Sequence, residues 1–185
     1  MRNRKIIVIG AILLVAIFLI AIVMNSINDL KNLSKTNTQS TAIKDGATEP
    51  QFVKEGTLSF IASNDDTLGT IDIEIADNDA QREQGLMYRS SMKQNQGMLF
   101  VFDKSGQQNF WMKNTIISLD IIYVDENFNI VTIHKNTQPY SEAQIPSYKN
   151  AQYVIEVNAE FCNRNNIKEG DRIYSKVLQP HKVQA

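Results

Sequence analysis

Residues 6–24 form an unbroken run of 19 residues without a charge, dominated by Ile, Leu, Val and Ala, and no other feature constrains the architecture as strongly. As a helix such a run rises about 28 Å, which matches the hydrocarbon core of a bilayer and keeps every backbone polar group bonded within the segment. A single membrane crossing is the expectation. Arg2, Arg4 and Lys5 precede the run, whereas the first basic residue beyond it is Lys31. The positive-inside rule then places residues 1–5 in the cytoplasm and everything after residue 24 outside, in the periplasm or at the cell surface. The competing reading is a cleaved signal peptide. Against it, the run exceeds the usual apolar core of about 7–15 residues, and residues 22–26 offer no small-x-small cleavage site.

The chain holds one cysteine, Cys162. That excludes a lipid anchor at the end of the run, an intramolecular disulfide, a Cys-x-x-Cys redox pair and a multi-cysteine zinc site. In an oxidising compartment the free thiol is either buried as a small apolar group or available for an intermolecular bond.

Beyond the membrane run, Ile27, Leu30 and Leu33 continue a helical spacing, and residues 34–50 are rich in Thr, Ser, Asn, Gln and Lys. Residues 25–54 read as a flexible juxtamembrane linker, of which about 20 residues reach roughly 25 Å. Residues 55–180 are the expected extracytoplasmic domain, with residues 181–185 as a tail. Residues 55–185 carry 12 basic and 17 acidic side chains. That excess of acid argues against a nucleic-acid or anionic-lipid surface on the folded part.

Within the domain, Thr57 to Ser63 and Thr67 to Ala76 flank the polar turn Asn64-Asp65-Asp66, and Ile71, Ile73 and Ile75 alternate with polar residues. The pattern predicts a half-buried hairpin. Asn78 followed by Gln81 predicts a capped helix of about three turns. Six further runs, over residues 98–102, 109–113, 120–125, 130–135, 153–157 and 172–177, are β-branched or aromatic, with a hairpin connection over 125–129. A helical turn over 160–165 brings the count to about eight strands and two short helices. The expected class is α+β, mostly antiparallel, a curled sheet or partly closed barrel preceded by the transmembrane helix.

Standard catalytic patterns are absent: no Gly-x-Ser-x-Gly elbow, no His-Glu-x-x-His, no phosphate-binding loop and no dinucleotide fingerprint. His134 and His181 lie far apart in the sequence, so neither implies a zinc centre. Met87, Met92, Met98 and Met112 raise copper(I), but no Met-x-Met or Met-x-x-Met pair joins them, and core packing accounts for them. No metal and no cofactor is implied.

The dense segment is Gly97-Met98-Leu99-Phe100-Val101-Phe102, then Asn109-Phe110-Trp111-Met112-Lys113-Asn114-Thr115, then Ser118 to Asp125. With Arg82-Glu83-Gln84-Gly85-Leu86-Met87-Tyr88-Arg89 before it, and Tyr153 to Glu156 and Gly170 to Ile173 after it, it resembles the domain of unknown function 192 family over about residues 68–178. The resemblance implies a compact, mostly β domain that often follows an N-terminal signal or anchor, and implies no particular reaction. One departure is Asn158-Ala159-Glu160-Phe161, where the family has a small residue or glycine.

Trp111, between Phe110 and Met112, reads first as a core residue. Lys113, Asn114 and Thr115 follow at a strand end, where side chains reach into a cleft, and Asn114 is equally suited to a turn. Asp120 and Glu156 adjoin apolar runs, and a buried carboxyl needs a partner. Facing one pocket they are candidate catalytic residues, an acid and a base for a glycosidic bond. Otherwise Asp120 pairs with Arg82 or Arg89 and ties helix to sheet. Residues 136–150 form a long loop carrying Tyr140 and Tyr148, suited to flat, polar-edged ligands such as sugars. The expected function is a membrane-anchored domain recognising an envelope glycan or a protein partner through Trp111, Lys113, Asn114, Thr115, Asp120 and Tyr140. The alternative is a hydrolase or lyase acting on envelope carbohydrate through Asp120 and Glu156.

Overall fold

The alternation of Ile71, Ile73 and Ile75 with Thr70, Asp72 and Glu74 commits residues 67–76 to a strand with one apolar face. The computed structural model, which describes residues 49–178, contains that strand as β2 (Thr67–Ala76), hairpinned to β1 (Gly56–Ile61) across the expected turn. The membrane run, residues 25–48 and the tail lie outside the described residues. Among those described, no helix is long and apolar enough to cross a membrane.

Five further strands, β3 (Gln96–Phe110), β4 (Leu119–Val124), β5 (Ile130–His134), β6 (Ile145–Asn158) and β7 (Arg172–Tyr174), complete one sheet in the order β5-β4-β6-β3-β2-β1-β7. The fold is mostly β, a nearly closed barrel with two short helices, α1 (Asp79–Gln84) and α2 (Phe161–Arg164). Closure comes from the start of β5 meeting β7. Asn129 bridges Arg172, Ile130 N–H donates to the Asp171 carbonyl at 2.8 Å, and Gly170 N–H donates to the Ile130 carbonyl at 2.9 Å.

Three features differ from the sequence expectation. The runs 98–102 and 109–113 belong largely to one 15-residue strand, β3, which is broken in register rather than interrupted. Its pairing with β2 is parallel, because α1 carries the chain across before β3 begins. And α1 is 6 residues long, not three turns. Its start is as expected: the Asn78 side chain accepts from Gln81 N–H at 3.1 Å, and the Gln81 side chain accepts from Asp77 N–H at 3.2 Å. Its end is set by Gly85, which turns the chain at φ 46. A Cβ there would meet the Phe100 ring at 3.2 Å.

Residues 49–55, expected mainly as linker, are bonded along the sheet. Val53 N–H donates to the Glu74 carboxyl at 3.0 Å, Glu55 N–H to the Ile73 carbonyl at 2.8 Å, and Ile75 N–H to the Glu55 carboxyl at 2.6 Å. The Glu49 carboxyl accepts from Ser90 N–H at 2.7 Å. This strap covers the buried ion pair between Arg89 and Glu74, 2.8 Å apart.

The sheet separates two apolar clusters. Leu58, Phe60, Ile73, Leu99, Ile122, Ile155 and Val157 fill one side, with Phe161 and Cys162 of α2. Leu86, Met98, Phe100, Met112, Ile121, Tyr123 and Val154 fill the other, under the segments that follow α1 and β3. Cys162 is buried in the first, and burial pushes its thiol up, with the neighbouring Asp120 carboxyl adding to the effect. The site lies on the second side.

Candidate functional site

Cross-strand register decides which side chains can meet, since paired residues share a face and their chain neighbours take the other. Met98 on β3 pairs with Glu74 on β2 and with Glu156 on β6. Glu156 in turn pairs with Ile121 on β4, and Ile121 with His134 on β5. These five side chains form one row across the sheet. The close approach of β3 to β6 here requires Gly97, where a Cβ would lie 2.6 Å from the Glu156 carbonyl oxygen.

Glu74 in this row is neutralised by Arg89. Glu156 is not: its Oε2 is buried without a hydrogen-bond partner, and among the described residues the carboxyl takes part in no ion pair. Burial pushes its pKa up to about 8, so it is largely protonated at neutral pH. It lies in the wall of a cavity of about 280 Å³, together with Arg82 and Gly85 from the α1 segment and Phe100, Phe102, Phe110 and Trp111.

Two irregularities in β3 build that wall. The pairing with β6 slips between Val101 and Gly106 and again between Gln107 and Asn109. Bulges of this kind turn a strand and re-aim its side chains, and Phe102, Gln108, Asn109 and Phe110 all line the cavity. Phe110 packs edge-on against Phe100 with centroids 4.9 Å apart, and against Tyr123 at 5.9 Å. Burial and the nearby Glu156 both push the Tyr123 hydroxyl up. That hydroxyl donates to the Ile145 carbonyl.

Arg82 is committed on three sides. Its guanidinium donates to the Val101 carbonyl at 2.7 Å, pairs with Asp79 at 2.7 Å, and lies 5.3 Å from the centroid of Phe102.

Trp111 is not a core residue. It is 44% exposed and lines the cavity, with Lys113 Nζ 4.9 Å from its ring centroid. The chain leaves β3 at Phe110 and turns at once, which lifts the indole out of the sheet before Met112 returns to the core. Asn114 holds φ 55 and Tyr88 φ 64, both left-handed, and the two are tied twice. Tyr88 N–H donates to the Asn114 carbonyl at 2.9 Å, and the Asn114 amide donates to the Tyr88 hydroxyl at 2.8 Å. Thr115 is buried and lines the cavity, and its carbonyl accepts from Tyr140 N–H at 3.1 Å. Tyr140 itself is exposed and outside the cavity lining. Trp111, Thr115 and Glu156 are therefore gathered around one cavity, whereas Lys113 and Asn114 are outside its lining, Lys113 over the Trp111 ring and Asn114 bonded to Tyr88.

Asp120 is elsewhere. It pairs with Val157, so it faces the side opposite Glu156, and the two carboxyls do not share a pocket. Nor does it pair with Arg82 or Arg89, which are taken by Asp79 and Glu74. Its oxygens accept from Asn136 N–H and Cys162 N–H, each at 2.9 Å. A strand side chain thus caps α2 and ties down the following loop. The departure at Glu160 has its cost here too: Glu160 holds φ 67, a conformation natural to glycine, and its carboxyl is gripped by the Asn136 and Asn163 amides.

Arg82, Gly85, Phe100, Phe102 and Phe110 were not legible as site residues. Their signal lies in the motif blocks 82–89, 97–102 and 109–115, whose convergence depends on the parallel β2–β3 crossing.

A family model, DUF192, described as uncharacterized ACR, matches residues 60–175. A structure of a proposed transcription regulator from Sinorhizobium meliloti 1021 is similar at 38% identity and a TM-score of 0.64, covering 69% of this chain and 98% of the other. A protein of unknown function from Novosphingobium aromaticivorans DSM 12444 is similar at 28% identity and a TM-score of 0.63, covering 74% and 98%. A search of curated proteins finds no match.

Proposed function

The chain belongs to the DUF192 family, and we propose that it is a membrane-tethered binding domain, displayed outside the membrane by residues 6–24, that holds a sugar unit of an envelope glycan in the cavity beside Glu156. One observation carries this reading: a buried carboxyl oxygen without a partner lies in the wall of a cavity that four aromatic rings, Phe100, Phe102, Phe110 and Trp111, also line. Leaving such an oxygen unbonded costs about 1–3 kcal/mol. A ligand hydroxyl entering the cavity recovers that cost.

The surroundings suit a flat ligand with polar edges. Phe100, Phe102, Phe110 and Trp111 supply apolar faces, and Gln108 and Asn109 supply amide groups beside them. Trp111, half-exposed among these lining residues, offers a ring on which a sugar can stack while its hydroxyls reach inward. Asp120 faces the other side of the sheet, so the pair Asp120 and Glu156 is not available for two-carboxylate hydrolysis in this cavity.

The test is a thermal-shift screen of the full-length protein in detergent against envelope sugars and glycan fragments. A ligand at about 100 times its Kd adds roughly 2.7 kcal/mol and raises the midpoint by several degrees. The expected result is a shift by one sugar class that is lost in Trp111→Ala. A flat screen on well-folded protein would overturn the reading and point to a protein partner.

A further inference from the structure

We infer, resting on that reading, that Glu156 meets its ligand as a neutral carboxylic acid, donating to a ligand oxygen, so that the site takes uncharged hydroxyl- or carbonyl-bearing sugars in preference to their ammonium-bearing counterparts. The geometry around the carboxyl supports this on every side. From α1, Arg82 is held by Asp79 and the Val101 carbonyl, and Glu83 adds an acid to the lining. From β2, Glu74 lies beyond Met98 and already has Arg89. From β4, the nearest titratable group is the Tyr123 phenol, and beyond Ile121 the His134 ring is bonded to the Pro146 carbonyl at 2.8 Å. Among the described residues, no element packed against Glu156 brings it a free cation.

Two of the four rings that could draw a ligand cation are taken as well. An ammonium group is drawn to the face of an aromatic ring. In this wall the Phe102 ring already carries Arg82 and the Trp111 ring already carries Lys113. A third positive charge would meet two of the protein's own and would also have to displace the Glu156 proton. A hydroxyl or carbonyl oxygen meets neither obstacle and accepts the proton where it is, and burial of the carboxyl favours the same protonated form.

The experiment uses full-length protein labelled with carboxyl-¹³C glutamate in detergent micelles, with Glu156→Gln to assign the Glu156 signal. The probes are hexoses, N-acetylhexosamines and the corresponding free-amine hexosamines, followed by Trp111 fluorescence and by the Glu156 signal from pH 5 to 10. The expected result is a protonated Glu156 at pH 7 both free and bound, with hexoses or N-acetylhexosamines binding at least tenfold tighter than the free amines. Their affinity falls about tenfold per pH unit once the carboxyl has titrated, a pH dependence that Glu156→Gln lacks. An ionised Glu156 at pH 7, or tighter binding of the free amines with release of a proton, would overturn the inference while leaving the pocket in place. No response of either signal to any probe would instead overturn the sugar-pocket reading, and the inference with it.

Discussion

Asp120 and Glu156 stand one register position apart on the paired strands β4 and β6, and that single step sends their carboxyls to opposite faces of the sheet. The consequence is a separation of roles. Asp120 serves the fold through two backbone N–H groups, and Glu156 serves the cavity. Asp120→Asn replaces one acceptor oxygen by a donor and leaves one of the two amides unpaired inside the protein. We expect a loss of about 2–3 kcal/mol in urea unfolding, with ligand-induced fluorescence change intact. Loss of ligand response with unchanged stability would contradict the separation.

Trp111→Ala should do the reverse. The indole is 44% exposed and outside the core, so unfolding free energy should move by less than about 1 kcal/mol. Affinity for the pocket ligand should fall tenfold or more. Because the chain has a single tryptophan, the parent protein's emission also reports occupancy directly.

The linked pair Tyr88 and Asn114 stores backbone strain, since both sit at positive φ. Asn114→Ala keeps the strain and removes the bond to the Tyr88 hydroxyl, and should cost about 1–2 kcal/mol. Asn114→Gly relieves the strain while losing the same bond, and should recover roughly 1 kcal/mol of that loss. Chemical denaturation of the two variants measures the difference.

Removal of the strap should weaken the domain. A chain beginning at residue 56 loses the Val53 and Glu55 bonds and uncovers the Arg89–Glu74 pair. It should unfold about 2–3 kcal/mol more easily than a chain beginning at residue 49. Amide exchange at Ile75 and Ser90 should accelerate with it.

Stability should also depend on pH through Glu156. Its pKa is raised from 4.5 to about 8, so between those values the native state keeps a proton that the unfolded chain has lost. The contribution is complete below about pH 4.5 and is lost as pH rises through about 8. Relative to Glu156→Gln, which lacks this linkage, the parent's melting midpoint should drop between pH 5 and pH 9. About 3 °C for each 1 kcal/mol is the expected scale. A constant difference across that range would show an ordinary, ionised carboxyl.

What could be read from the sequence was local. The β1–β2 hairpin, the Asn78 cap and the 125–129 turn each rest on residues within a few positions of one another. In the turn, Asp125 accepts from the N–H groups of Asn127 and Asn129 at 2.9 and 2.8 Å. Pairings across the chain were not legible. Nothing in the alternation of residues 98–102 announces a parallel partner in β2, so the convergence of α1 with the β3 phenylalanines stayed hidden. The core reading of Trp111 fails for a related reason, whereas its place at the cavity agrees with the binding reading. Its apolar neighbours Phe110 and Met112 do reach the core, but the turn between them points the indole the other way. Asp120 reads in the sequence as a cavity carboxylate or as the partner of an arginine, and its partners are instead backbone amides, which carry no residue signature.

The meeting of β5 with β7 also governs how the protein behaves when crowded. A strand edge with free N–H and C=O groups is a template for another copy's strand. Here the Ile130 N–H and carbonyl are already spent on Asp171 and Gly170, and the Val131 carbonyl accepts from Lys149 Nζ at 3.0 Å. Copies brought together at high local concentration find this end of the seam already stitched, which removes the Ile130 groups as a template for edge-to-edge pairing.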